Sequence, residues 1–168
     1  MLDTDRMRLR LLREDDADAL DGVFGDAEVM RFGSGVQSRE AVSAWLQAQL
    51  AHYTAHGFGP WAVIEKATGD VIGYCGLFYY ADVAGQPDVE VGYRLARKHW
   101  GRGFATEAVL AVRDYAFNAL GLSRLIAMID PANTASIRVA QKVGMHYEKD
   151  VWFEGYDHAD HVYAVARG

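Results

Sequence analysis

The chain has 168 residues, 51% of them hydrophobic and 24% charged, a balance that specifies one folded core and excludes a disordered chain. Its formal net charge is −6, and its single cysteine, Cys75, excludes an internal disulfide and a cysteine-built zinc site. No apolar run approaches the roughly 20 residues that cross a bilayer, so no membrane partner is expected.

Arg8–Leu11 alternates as an edge-like first strand, and Glu14 to about Phe24 reads as a short helix with an acidic first turn, which suits the helix dipole. Ser38 is a suitable N-cap for a second helix reaching His56, with Gly57 as its stop. Trp61–Glu65 and Val71–Tyr80 form a predicted hairpin joined at Thr68-Gly69-Asp70. Asp88–Leu95 alternates, with Val89, Val91, Tyr93 and Leu95 on one face and Asp88, Glu90, Gly92 and Arg94 on the other. A helix then runs from about Phe104 to Leu120, with Glu107, Asp114 and Asn118 as one solvent stripe and Gly121 as the stop. Leu125–Ile129 reads as a strand covered on both faces, so strand, helix and strand make a right-handed crossover with parallel strands. A helix over about Thr134–Val143 and a terminal hairpin, about Tyr147–Phe153 and His161–Ala166, complete one α+β (mixed α/β) domain over residues 1–168. A mixed sheet with helices on both faces is expected.

Charge is distributed unevenly along this frame. Residues 1–28 hold nine acids against four arginines, whereas 94–102 contain Arg94, Arg97, Lys98 and Arg102 with no acid. An acidic chain with one short basic stretch lacks the broad positive face that nucleic acid requires, but it can hold one compact anion. Gly101 and Gly103 let the backbone approach a ligand, and the first N–H groups of the following helix have no intrahelical partner. No Gly-Lys-Ser/Thr follows, which excludes a nucleoside-triphosphate P-loop. A dinucleotide fingerprint fails for want of its third glycine and of a buried parallel strand before it. The charged start, MLDTDRMRLRLLREDD, lacks a signal-peptide core, so a reducing, cytoplasmic setting is expected.

The stretch Glu90-Val91-Gly92-Tyr93 through Trp100-Gly101-Arg102-Gly103-Phe104-Ala105-Thr106-Glu107-Ala108 resembles the acetyl-CoA-binding motif of the GNAT superfamily of N-acetyltransferases. Its Trp-Gly-x-Gly-Phe-Ala-Thr-Glu-Ala form is similar to the RimJ/RimL branch of ribosomal-protein N-terminal acetyltransferases. Arg8–Leu11, Asn133-Thr134-Ala135-Ser136 and Lys142-Val143-Gly144-Met145 extend the likeness over nearly the whole chain. The resemblance implies a largely antiparallel sheet with two parallel strands splayed apart. It implies a pantetheine arm near Val91, Tyr93 and Leu95, with Asn133 bonding the arm. A pyrophosphate would rest on the amides of Gly101, Arg102, Gly103, Phe104, Ala105 and Thr106, helped by Arg97 and Lys98. It further implies direct attack of a neutral amine on the acetyl carbonyl, polarised by a backbone N–H near Val91, with no metal.

Two departures bear on mechanism. Trp100 stands at the motif's Gln/Arg position, and Ala140 stands where many relatives carry a tyrosine that protonates the thiolate, which makes Ser136 the candidate acid. Glu90, on the polar face beside Gly92, is the first candidate for general base, and Glu154 is the second. A mouth formed by Met30-Arg31-Phe32, Glu90 and Glu154-Gly155-Tyr156, with Asp150, Asp157 and Asp160 near, points to a cationic amine: a peptide N-terminus, or a small molecule such as a polyamine-like amine or an amino acid. A non-catalytic acyl-CoA sensor is the alternative, and the paired terminal strands are compatible with a homodimer. His52 with His56 and His158 with His161 read as solvent-exposed histidines, and Cys75 as core.

Overall fold

Alternation, caps and glycine stops act where the sequence places them. The computed structural model describes residues 1–168. In chain order it contains β1 (Leu2–Asp3), β2 (Met7–Leu11), α1 (Ala17–Phe24), α2 (Arg39–His56), β3 (Pro60–Glu65) and β4 (Val71–Tyr80). There follow β5 (Asp88–Leu95), α3 (Phe104–Asn118), β6 (Arg124–Ile129), α4 (Thr134–Lys142), β7 (His146–Val151) and β8 (Asp160–Ala166). Ser38 caps α2 by accepting from the Ala41 N–H, and Gly57 ends it in the left-handed conformation. The acidic segment before α1 is a 3₁₀ turn, Glu14–Asp16, in which the buried Asp16 accepts from Arg10 at 2.7 and 2.8 Å. The two-residue β1 was not expected, because a strand so short carries no periodicity. Glu107 does not belong to a bare solvent stripe: it accepts from the Arg6 backbone at 3.0 Å and from the Arg6 guanidinium at 2.7 Å.

The strands form one sheet in the order β1-β2-β3-β4-β5-β6-β8-β7. Every pairing is antiparallel except β5 with β6. A bulge at β3–β4 sets Val63 opposite Gly73 but Ile64 opposite Val71. Gly73 is required there, since its φ is +147° and a Cβ would stand 2.1 Å from the Arg94 carbonyl oxygen. The extra residue lets Ile72 join Cys75 and Leu77 in the larger core. That core of 22 buried residues packs α3 and α4 on one face of the sheet, through Phe104, Val112, Phe117 and Ala140. A core of eight packs α1 and α2 on the other, through Leu20, Phe24, Leu46 and Tyr74. Helices therefore cover both faces.

β5 and β6 touch at a single parallel register position, Glu90 opposite Ile126. Beside that rung, Arg124 at the start of β6 donates at 2.9 Å to the buried Asp88 at the start of β5, and at 2.6 and 3.0 Å to Glu148 of β7. The two strands are thus pinned at one end and splayed at the other.

Candidate active site

The splay opens a cavity of about 410 Å³ that takes its lining from both faces of the sheet. Trp45, Tyr74 and Phe78 line it from the α2 side, and Val109, Val139 and Ala140 from the α3–α4 side. It therefore passes through the sheet at the missing rungs. A second cleft of about 420 Å³ lies over the glycine loop, and both spaces share Phe32, Tyr93, Arg94, Asn133, Ser136 and Val139.

Glu90 stands in the first cavity on the polar face of β5. Its Oε1 accepts the Met128 N–H at 3.0 Å, so the carboxylate takes the place of a ladder partner that the splay removes. Burial is the largest influence on its acidity and raises its pKa to about 7; the Met128 N–H and the Tyr80 phenol oppose the rise, and Asp160 adds to it. A carboxyl that titrates near neutrality at the wall of a cavity is suited to accept a proton there. Gly92 is its neighbour on this face, and a Cβ there would meet the Phe78 ring at 3.1 Å. The glycine keeps the floor open.

Asn133 caps α4 by accepting the Ser136 N–H at 3.1 Å, which fixes the serine in the first turn. The Tyr93 hydroxyl donates to Ser136 Oγ at 3.2 Å, and burial raises the Tyr93 pKa to about 12. Ala140 is buried and lines the same cavity with no hydroxyl. The Tyr93–Ser136 pair is the hydroxyl chain at the junction of the two spaces. Tyr93 was expected only as backbone along a cofactor arm. Its inward position on β5 was legible in the alternation, but its partner on α4, 43 residues away, was not.

The second cleft meets the uncapped start of α3. Gly103 adopts φ +80°, and no side chain caps the helix, so the N–H groups of its first turn face the cleft with no side-chain acceptor. Gly101, Gly103, Phe104, Ala105 and Thr106 all line it, as do Tyr93 and Leu95. The Leu95 carbonyl already accepts the Trp100 indole N–H at 2.8 Å. Val91 lines the through-sheet cavity and not this cleft.

The expected basic residues are placed differently. Arg97 pairs with Asp26 at 3.2 Å, and Arg102 pairs with Glu65 at 3.0 Å and stacks 4.7 Å above the Phe104 ring. Neither lines the cleft, nor does Lys98; the cations that do are Arg31, Arg94, Arg138 and Lys142. Arg138 and Lys142 lie at i, i+4 on α4, a spacing visible in the sequence but indistinguishable there from an ordinary solvated helix face. Arg6 supports the glycine loop from behind, donating to the Arg102 carbonyl at 2.7 Å and lying 4.5 Å above Phe104.

The structure does not bring Glu154 to the site: it is exposed and lines neither space. Asp160 and Asp130 stand in the cavity instead. His158 is held among three carboxylates, with Nδ1 2.8 Å from Asp157, and Nε2 3.1 Å from Asp130 and 3.4 Å from Asp160. Its pKa is raised, chiefly by the hydrogen bond to Asp157. His52 also departs from a solvent-exposed reading. Its Nδ1 lies 2.9 Å from the Phe58 carbonyl and its Nε2 accepts the Tyr79 N–H at 3.1 Å, which ties α2 to β4. Cys75 is fully buried, and burial raises its pKa, so it is core.

Residues 6–146 match the family described as acetyltransferase (GNAT) domain. The chain is similar to the uncharacterized protein YkkB of Bacillus subtilis, 40% identical over 88% of this chain and 86% of that one. It is 33% identical to the uncharacterized N-acetyltransferase p20 of Bacillus licheniformis, over 93% of this chain and 86% of that one. The crystal structure of an acetyltransferase from Agrobacterium tumefaciens superposes with a TM-score of 0.84 at 28% identity, covering 99% of this chain and 94% of that one. The splayed pair β5–β6, the uncapped helix behind a glycine loop and these relatives agree: the chain belongs to the GNAT family of acetyltransferases and is an N-acetyltransferase.

Proposed function

We propose that this enzyme moves an acetyl group from acetyl-CoA to a primary amine by direct attack, with Glu90 as general base and Ser136 as the proton donor to sulfur. The observation that carries the reading is the meeting of two spaces at the Tyr93–Ser136 pair, with Glu90 on one side and the free α3 N–H groups on the other. The second cleft fits the anionic end of acetyl-CoA: it offers helix N–H donors together with Arg31, Arg138 and Lys142. When bound, acetyl-CoA supplies an activated acyl carbon and a thiolate leaving group.

The chain's own residues then do three things. The α3 amides and the α4 cations orient the cofactor so that its acyl end enters the splay beside Val91 and Gly92. Glu90, ionised above a pH of about 7, takes the proton released as the amine bonds to carbon. Ser136 gives its hydroxyl proton to the departing sulfur, and the Tyr93 hydroxyl, 3.2 Å away, restores it. Bulk solvent then reprotonates Tyr93 and takes the proton from Glu90, so no net proton is gained or lost by the chain. The RimJ/RimL-like form of the glycine loop supports a grip through backbone amides, since Trp100 offers no charge at the Gln/Arg position.

Calorimetric titration with acetyl-CoA beside NAD, followed by thiol release against a panel of amines, tests the reading. Binding of acetyl-CoA alone and amine-dependent thiol release are expected. Binding without thiol release from any amine would leave an acyl-CoA-binding domain, and no binding would overturn the assignment of the cleft.

A further inference from the structure

Arg94 has no ion-pair or hydrogen-bond partner, although at longer range its charge favours the ionised form of Glu90. It lies on the polar face of β5 with Glu90, separated from it by Gly92, and it lines both the through-sheet cavity and the cofactor cleft. Most arginines packed into this fold have an acidic partner: Arg6 has Glu107, Arg10 has Asp16, Arg97 has Asp26, Arg102 has Glu65 and Arg124 has Asp88. Arg94 forms no ion pair and donates no side-chain hydrogen bond, although it is half-buried. Its guanidinium lies instead close against Gly33. A Cβ at residue 33 would come within 2.3 Å of its Nη2, so Gly33 is what lets the loop between α1 and α2 close over it.

The cavity is therefore polarised along one strand. At one end stand Glu90, Asp130 and Asp160, and at the other a guanidinium without a counter-ion; between them the walls are the rings of Trp45, Tyr74 and Phe78. A polyamine would set its second cation against Arg94. The acidic mouth read from the sequence accounts for the amine end alone. A partly desolvated guanidinium without an acid is best satisfied by a carboxylate, which accepts two parallel N–H bonds from its fork.

We infer that the acceptor is a small amino acid: its amine lies toward Glu90, its carboxylate is held by Arg94, and an apolar body lies against the rings between. This rests on the acetyl-transfer reading above and narrows it to a substrate class. It also assigns Arg94 and Gly33 as residues that determine acceptor specificity.

The test compares free α- and ω-amino acids of apolar or aromatic character with their carboxamides, their decarboxylated amines and O-phosphoethanolamine. Each is assayed by thiol release with the wild type, Arg94→Gln and Arg94→Lys, while calorimetry with acetyl-CoA monitors the cofactor side. The expected result is a kcat/KM at least tenfold higher for the carboxylate than for its amide. That preference should vanish in Arg94→Gln and survive in part in Arg94→Lys, with acetyl-CoA affinity within about threefold throughout. A wild type indifferent to the carboxylate, a preference that persists in Arg94→Gln, better use of the phosphate-bearing amine, or loss of acetyl-CoA binding in Arg94→Gln would each overturn the inference. So would thiol release with other amines but with no carboxylate-bearing amine. Failure of the acetyl-transfer reading itself would show separately, as a wild type that does not bind acetyl-CoA or that binds it and releases thiol with no amine of any class.

Discussion

Replacing Glu90 with Gln removes the proposed base while keeping an oxygen that can accept the Met128 N–H. Two consequences can be worked from the structure. Turnover at saturating acetyl-CoA should fall roughly 100- to 10,000-fold, the usual contribution of a general base. The rising limb of the pH–rate profile, centred near 7 in the wild type because burial raises the Glu90 pKa to about 7, should disappear. Stability should move in the opposite direction. The ordinary pKa is 4.5, so between 4.5 and about 7 the unfolded chain is ionised while the folded one holds the proton. The wild type therefore loses stability as pH rises through that window, at up to about 1.4 kcal/mol per pH unit. Because Glu90 borders an open cavity, the integrated loss of about 3 kcal/mol is an upper bound. The assay is thermal melting of the ligand-free proteins in pairs from pH 4.5 to 8. Glu90→Gln should match the wild type at pH 4.5 and melt several degrees higher at pH 8. A constant gap in melting temperature across that range, with an unchanged rate, would refute both the burial argument and the role assigned to the carboxylate.

Further predictions follow from other contacts. Tyr93→Phe should slow turnover about tenfold, and the Tyr93→Phe, Ser136→Ala double variant should be no slower than Ser136→Ala alone, because the tyrosine acts through the serine; additive losses in single-turnover rates would contradict this. Gly103→Ala forces a Cβ into φ +80° and should cost about 1–2 kcal/mol of stability and weaken acetyl-CoA binding in calorimetry more than tenfold. Arg124→Met leaves Asp88 buried without its partner and should lower stability by about 3–5 kcal/mol in urea unfolding, far more than Arg8→Met at an exposed pair. His158 has a raised pKa, so its hold on Asp130, Asp157 and Asp160 is complete below pH 6.5 and is lost as pH rises through its folded value. Limited proteolysis between Val151 and Asp160 should accordingly be faster at pH 8.5 than at pH 6, and independent of pH in His158→Ala.

Much of the frame was legible because it is local. The period-2 alternation of β5, the Ser38 cap, the Gly57 stop and the glycine loop each depend on neighbours within a few residues, and the structure contains each of them. Glu90 and Ser136 were legible as candidates from their places on a strand face and a helix first turn, and the structure sets Glu90 in the through-sheet cavity and Ser136 at the junction of the two spaces. What escaped was long-range. Arg97 and Arg102 read as phosphate ligands from their charge, but Asp26 and Glu65 neutralise them from segments 71 and 37 residues away. Glu154 and Asp160 are six residues apart in an acidic stretch, and only the turn between β7 and β8 decides which carboxylate reaches the cavity. Arg94 shows the same limit in reverse: its lack of a partner is a property of the whole fold.

The pinned end of the β5–β6 pair divides the ladder of hydrogen bonds into two subsheets, β1–β5 and β6–β8, joined at one rung, one arginine and the Glu90–Met128 bond. Past that point the facing strand edges exchange no backbone bonds, so apart from the Met128 N–H, which Glu90 holds, their amides should exchange with solvent faster than those inside each subsheet. A ligand lying in the gap bridges the two edges as a missing strand does. It adds to folding free energy by mass action, about 2.7 kcal/mol at one hundred times its dissociation constant. Under heat or denaturant the ligand-free molecule is therefore expected to open at this gap before either subsheet melts, about the end that Asp88, Arg124 and Glu148 pin.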